Sequence, residues 1–147
     1  MIAQDAVWFI TGCSKGFGRS LAEQALGAGY RVVATARRTE DLGDLASRYP
    51  ERVLTLALDV TSTAQIDTAV AAATEHFGSI DVLVNNAGYI YLGAIEEGED
   101  QDVRALFETN LFAPVALIKA VLPSMRARRK GHIVNISSIG GLITFPG

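Results

Sequence analysis

Between the apolar run Val7-Trp8-Phe9-Ile10 and a helix-like stretch that begins at Arg19 lies Thr11-Gly12-Cys13-Ser14-Lys15-Gly16-Phe17-Gly18. That is where an open α/β sheet turns from strand to helix and offers backbone N–H groups to a phosphate. Glycines there permit positive φ, close approach of the backbone to a pyrophosphate, and tight packing of helix on strand. The competing reading is an ordinary βα turn. The placement after a strand and before an amphipathic helix favours a dinucleotide cradle, with Gly12, Ser14, Lys15, Gly16, Phe17 and Gly18 as its contacts. No Gly-Lys-Ser/Thr follows, so this is not a Walker loop.

A second chemical signal lies about 20 residues beyond the glycines, where an acid would normally accept hydrogen bonds from the ribose 2′-OH of NAD. Here the chain reads Ala34-Thr35-Ala36-Arg37-Arg38, with Ala36 in the acid's place. Arg37 and Arg38, with Lys15 from the glycine loop, supply the positive charge and planar donors that a 2′-phosphate needs. NADP(H) is therefore expected in preference to NAD(H). The alternative is that these are solvated surface charges.

The elements that must position these groups follow from an alternation of β-branched runs with helically spaced segments. Strands are expected at Val7–Thr11, Arg31–Thr35, Val53–Leu58, Asp81–Asn85 and His132–Ile136. Helices are expected at Arg19–Ala28, Glu40–Tyr49, Thr63–Phe77 and Asp100–Arg129. Strands apolar on both faces belong in a parallel sheet covered by helices on both sides. Right-handed crossovers then give a doubly wound, three-layer αβα sheet of the Rossmann type, with strand order 3-2-1-4-5, across residues 1–147. Gly27, Gly29 and Gly78 end helices, and Thr63 is the expected N-cap of the third.

Composition narrows the function classes. The 147 residues hold 13 Lys and Arg against 16 Asp and Glu, a formal charge of -3, with no concentrated basic face for nucleic acid. The single cysteine, Cys13, excludes an internal disulfide and suits a reducing cytoplasm; it is expected to be a small buried loop residue. No spacing of His or Cys suggests a metal site, and His76 and His132 read as structural. The longest uncharged apolar run, Leu111 to Ile118, is too short to cross a bilayer, so no membrane association is expected. The basic run Arg126, Arg128, Arg129 and Lys130 reads as a solvated helix end that complements the macrodipole.

The spacing GxxxGxG, with Asn85-Asn86-Ala87-Gly88, Asn110 and Ile136-Ser137-Ser138-Ile139-Gly140-Gly141 in order across the chain, resembles the short-chain dehydrogenase/reductase family, within its ketone and alcohol oxidoreductases. The resemblance implies that Asp59 and the Val60 backbone meet the adenine; a turn or capping aspartate is the local reading, and both can hold. It implies that Asn85 steadies the sheet, that Asn86, Ala87 and Gly88 border the cofactor ribose, and that Ser138, rather than Ser137, hydrogen-bonds the substrate oxygen. Asn110 would hold a proton-relay water on its main-chain carbonyl. The residues give a route to the same place, because Pro114 has no N–H to donate to that carbonyl if the helix continues. The alternative for Asn110 is a plain proline kink.

The family's YxxxK follows the serine by about a dozen residues and supplies the general acid/base. None of Tyr30, Tyr49, Tyr89 and Tyr91 has Lys four residues on. An apolar fifth strand left at the sheet edge is also an aggregation hazard that family members cover. Both observations lead to the expectation of an N-terminal, cofactor-binding part of a longer oxidoreductase, truncated after the fifth strand. The expected activity of the complete form is hydride transfer between NADP(H) and a carbonyl or secondary alcohol, by an enzyme assembled as a homo-oligomer. The 147 residues alone are expected to be inactive. The alternative is a non-catalytic dinucleotide-binding module without the Tyr/Lys pair.

Overall fold

The computed structural model describes residues 3–143. Five parallel strands form one sheet in the order β3-β2-β1-β4-β5: β1 Val7–Ile10, β2 Arg31–Ala36, β3 Val53–Ala57, β4 Val82–Asn85 and β5 His132–Asn135. This is the expected strand order. β1 is central, with Phe9 in register with Val33 on one side and Leu83 on the other.

Alternation along the strands divides the core into two layers, which is why these strands are apolar on both faces. Val7, Phe9, Val33 and Leu83 face α3 (Thr63–Phe77) and α5 (Ala113–Ala127), and pack with Ile66, Leu117 and Val121. Ile10, Val32, Ala34 and Val84 face α1 (Gly16–Gly27) and α2 (Gly43–Arg48), and pack with Leu26, Leu42 and Leu45. The result is a Rossmann-like αβα sandwich.

Several expected details are corrected. The N-cap of α3 is Ser62, whose hydroxyl accepts from the Gln65 N–H at 3.4 Å; Thr63 is the first helical residue. The second helix is short, because Thr39–Leu42 forms a tighter 3₁₀ turn before α2. The long segment from Asp100 divides into α4 (Asp100–Phe107), a widened π turn at Glu108–Phe112, and α5. Pro114 explains the widening: it cannot donate to residue 110, and the Ala113 N–H reaches back five residues to the Glu108 carbonyl.

This stretch, Asp100–Ala127, is long and apolar enough to cross a membrane by length and composition, which the reading of uncharged runs alone had missed. Yet it carries Asp102, Arg104, Glu108 and Lys119, and Ala113, Leu117, Val121 and Met125 are buried against the sheet.

Arg128 is not a solvated helix end. Its Nη1 donates to Asp81 Oδ1 at 2.8 Å and its Nη2 to the Ile80 carbonyl at 2.6 Å. Asp81 also accepts from the Val7 N–H at 3.1 Å, so one buried carboxylate ties the entry of β1 to the end of α5. Burial by itself would raise the Asp81 carboxyl, but the Val7 N–H and the Arg128 guanidinium outweigh it and hold its pKa below the ordinary value.

Candidate active site

The glycine loop opens from the C-terminal end of β1, where the chain is bound to the end of β4. Thr11 is the knot. Its buried hydroxyl accepts from the N–H groups of Asn86 and Ala87, both at 2.9 Å, and donates to the Val84 carbonyl at 3.3 Å. Asn86 returns the contact, donating from Nδ2 to the carbonyls of Thr11 at 2.8 Å and Gly12 at 3.2 Å. Thr11 carries as much of the architecture as the glycines do. A hydroxyl at the last inward position before a glycine turn is the sequence signal that could have singled it out.

Two glycines have specific steric causes. Gly12 has φ +73°, and a Cβ there would stand 3.0 Å from the Ala87 Cα. At Gly18, a Cβ would collide with the Asn86 side chain and the Gly12 carbonyl, so only glycine lets α1 start this close to the Asn86 segment. Cys13 is buried as expected; its N–H donates to the Thr35 carbonyl at 2.8 Å and its thiol to the Ile10 carbonyl at 3.3 Å. Burial pushes that thiol's pKa up to about 12, which makes it inert.

This knot forms one wall of a hollow of about 760 Å³ at the C-terminal edge of the sheet. Of the expected cofactor contacts, Gly12, Ser14, Lys15, Gly16, Phe17, Arg37, Asp59, Val60, Asn86, Ala87 and Gly88 all line it. Ala36, Leu58, Thr61, Tyr89 and Thr109 line it too, unanticipated from the sequence. An adjoining hollow of about 630 Å³ is walled by Ser14, Lys15, Arg37, Arg38 and Asp41, which places the three cations at one end of the cleft. Gly18 lies beneath the loop, buried by Asn86, and makes no part of either wall.

The polar groups differ in how far they are already engaged. Asp59 is turned onto its own loop: its Oδ1 accepts from the Thr61 N–H at 3.0 Å and the Thr61 hydroxyl at 2.7 Å. Those two donors hold its carboxyl below the ordinary pKa, against the opposing effect of burial and with help from Arg37. Arg38 is held by Asp41, whereas Arg37 makes no hydrogen bond or ion pair with other described residues.

At the other end of the cleft, Asn110 uses its side chain structurally. Nδ2 donates to the Tyr89 carbonyl at 2.8 Å and Oδ1 accepts from the Tyr89 N–H at 3.2 Å, fastening the β4 exit loop to the π turn. Its own backbone carbonyl faces the helix position where Pro114 has no N–H to give. Ser138 lies apart from both hollows. It is exposed beyond β5 and its hydroxyl accepts from the Gly140 N–H at 3.1 Å. Asn85, expected to steady the sheet, donates from Nδ2 to Asn135 Oδ1 at 2.8 Å across the β4–β5 pair, and its own Oδ1 is buried without a partner among the described residues.

The donor set and shape fit a dinucleotide: backbone N–H groups at the start of a twelve-residue helix, two glycines whose Cβ atoms would clash with the Asn86–Ala87 wall, and three cations at one end. Among the described residues no cluster of His, Cys, Asp or Glu could hold a metal ion.

The sequence matches the short chain dehydrogenase family over residues 6–147. An oxidoreductase from Botryotinia fuckeliana is 47% identical over 142 residues, covering 96% of this chain and 52% of that protein. The crystal structure of a short-chain dehydrogenase from Streptomyces avermitilis superposes with a TM-score of 0.94 at 48% identity, covering 100% of this chain and 54% of the other. A metagenomic short-chain oxidoreductase solved in complex with NADP gives a TM-score of 0.86 at 33% identity, covering 95% of this chain and 65% of that one. The chain spans about half the length of the curated relatives it matches.

Proposed function

The chain belongs to the short chain dehydrogenase family, and from that premise we propose that the protein is an oxidoreductase that uses NADP(H) on a carbonyl or secondary alcohol. The carrying observation is the cleft itself: a glycine loop locked by Thr11 and Asn86 at its middle, with Lys15, Arg37 and Arg38 gathered at one end. In this reading the N–H groups at the start of α1 hold the pyrophosphate. Arg37, Arg38 and Lys15 hold the 2′-phosphate, Leu58 to Val60 border the adenine, and Asn86 to Gly88 border the ribose. The NADP complex of the metagenomic relative supports the choice of nucleotide. The bound nicotinamide supplies the hydride.

The protein's own groups supply position and proton handling. Ser138 donates a hydrogen bond to the substrate oxygen, and the Asn110 carbonyl, without an N–H from Pro114, holds a water. The 147 residues contain no tyrosine followed by lysine four positions on, so they bind nucleotide without turning substrate over. The lone buried cysteine supports a cytoplasmic location, and the exposed apolar side chains Val103, Phe107, Leu111 and Phe112 support assembly through α4 and the π turn that follows it.

Titration with NADPH and NADH tests the reading. NADPH is expected to bind more tightly, and Arg37→Ala to cut that preference about tenfold, the value of one charge-assisted contact. Equal affinity for the two nucleotides, or an Arg37→Ala protein with its preference intact, rejects it.

A further inference from the structure

Within the end of the cleft that holds the cations there is a single carboxylate, and it is not free. Asp41, in the 3₁₀ turn Thr39–Leu42, accepts from Arg38 Nη2 at 2.8 Å through Oδ1 and from Arg38 Nε at 3.3 Å through Oδ2. The pairing is on one edge of the guanidinium. An arginine has five N–H donors, so the edge formed by Nη1 and the second Nη2 hydrogen remains open. Asp41 is the more sheltered partner, with 32% of its side chain exposed against 74% for Arg38, so the guanidinium reaches solvent while its carboxylate partner lies closer to the protein. Both line the hollow with Ser14, Lys15 and Arg37.

We propose that Asp41 is a specificity-determining residue: by pairing with Arg38 it offsets the charge that this guanidinium offers a 2′-phosphate, and so moderates the preference for NADP(H) over NAD(H). This rests on the nucleotide reading of the cleft given above. Two effects of the pair oppose each other. Holding Arg38 by one edge reduces the rotamer freedom lost on docking a phosphate, which favours NADPH. Occupying the Nε–Nη2 edge and neutralising the guanidinium disfavours it, because that edge and that charge are then withheld from the phosphate. The charge effect wins, because Arg38 stays largely exposed and is little immobilised by the pair, whereas both charges act at the same end of one hollow. Arg37, which makes no ion pair among the described residues and meets the Asp59 carboxylate only at longer range, carries the remaining selection.

The experiment is a pair of titrations, NADPH and NADH, on the full protein, its D41N variant, and D41N in an R38Q background. D41N is expected to raise the NADPH-to-NADH affinity ratio about fivefold, the scale of one exposed ion pair, and to change it less than about twofold when Arg38 is already Gln. A ratio that is unchanged or lowered in D41N, or raised equally in the R38Q background, overturns the role of Asp41 while leaving the nucleotide reading intact. A parent protein that binds neither nucleotide overturns both. D41A with the same ratio as D41N excludes a folding artefact of the amide; D41A matching the parent instead counts against the proposal.

Discussion

The two ends of the cleft are built differently. Where β1 and β4 leave the sheet, Thr11 and Asn86 are tied to each other and to Gly12, Val84 and Ala87 through five hydrogen bonds, and the strands around them are buried on both faces. At β5 and the turn beyond it, every residue from His132 to Ile143 is exposed, and the Ser138 hydroxyl has one local bond. A nucleotide therefore meets a surface whose shape is fixed in advance, whereas Ser138, to which the proposed function gives the substrate oxygen, sits on a turn held by that one bond. Under the proposed function, binding energy would depend on the first arrangement and chemistry on the second, so the regions should respond to mutation in opposite ways.

The sharpest way to break this contrast is Thr11→Val. Valine keeps the shape but leaves the Asn86 and Ala87 N–H groups without an acceptor. Each such group costs about 1–3 kcal/mol, and because both are half-buried the sum expected is about 3 kcal/mol of stability. Guanidinium unfolding monitored through Trp8 measures it. A loss below about 1 kcal/mol would mean that the loop is not held by this knot.

An intermediate effect is expected where the two regions are joined. The Asp81 main-chain carbonyl accepts from the His132 N–H at 2.8 Å, and its carboxylate holds Arg128 just before β5. Arg128→Ala is expected to cost about 1–2 kcal/mol, less than a fully buried pair because the arginine is 31% exposed. Hydrogen exchange should quicken at Ile133 to Ile136 and stay slow at Phe9 and Ile10.

The acid side follows from linkage. Asp81 has a depressed pKa in the fold, so the unfolded chain binds its proton first. The carboxylate's contribution is complete above the ordinary carboxylate pKa and is lost as pH falls through the lower folded value. Asp81→Asn should flatten that part of the stability profile; an unchanged acid limb would show that the pair adds nothing.

Much of the first region was legible because its causes are local. The strand runs, the glycine spacing and the Arg37-Arg38 pair sit within single stretches of sequence, and parallel order follows from helices intervening between strands. What escaped depended on distance or on a one-residue choice. Arg128 and Asp81 are 47 residues apart, and nothing in a basic helix end announces a buried partner. Asn110 grips Tyr89 from 21 residues away. Ser62 and Thr63 both carry hydroxyls fit to cap a helix, and the backbone at Ser62 decided between them. Arg38 reads from the sequence as a secondary cation beside Arg37, and only the 3₁₀ turn shows that Asp41 pairs with it.

The smallest expected effect completes the contrast. Ser138→Ala removes an exposed hydroxyl whose single acceptor role, toward the Gly140 N–H, water can replace. Its stability cost should be within about 0.5 kcal/mol, several times below that of Thr11→Val although both delete a hydroxyl at the end of a parallel strand. Nucleotide affinity should not move either, since Ser138 lies in neither hollow. In the full protein the same substitution should lower kcat with little change in nucleotide KM, because a hydrogen bond to the reacting oxygen strengthens as charge develops there. If Ser138→Ala instead destabilises the fold as Thr11→Val does, the serine is part of the scaffold, and the division between a rigid binding edge and an exposed reacting edge fails where it was meant to be clearest.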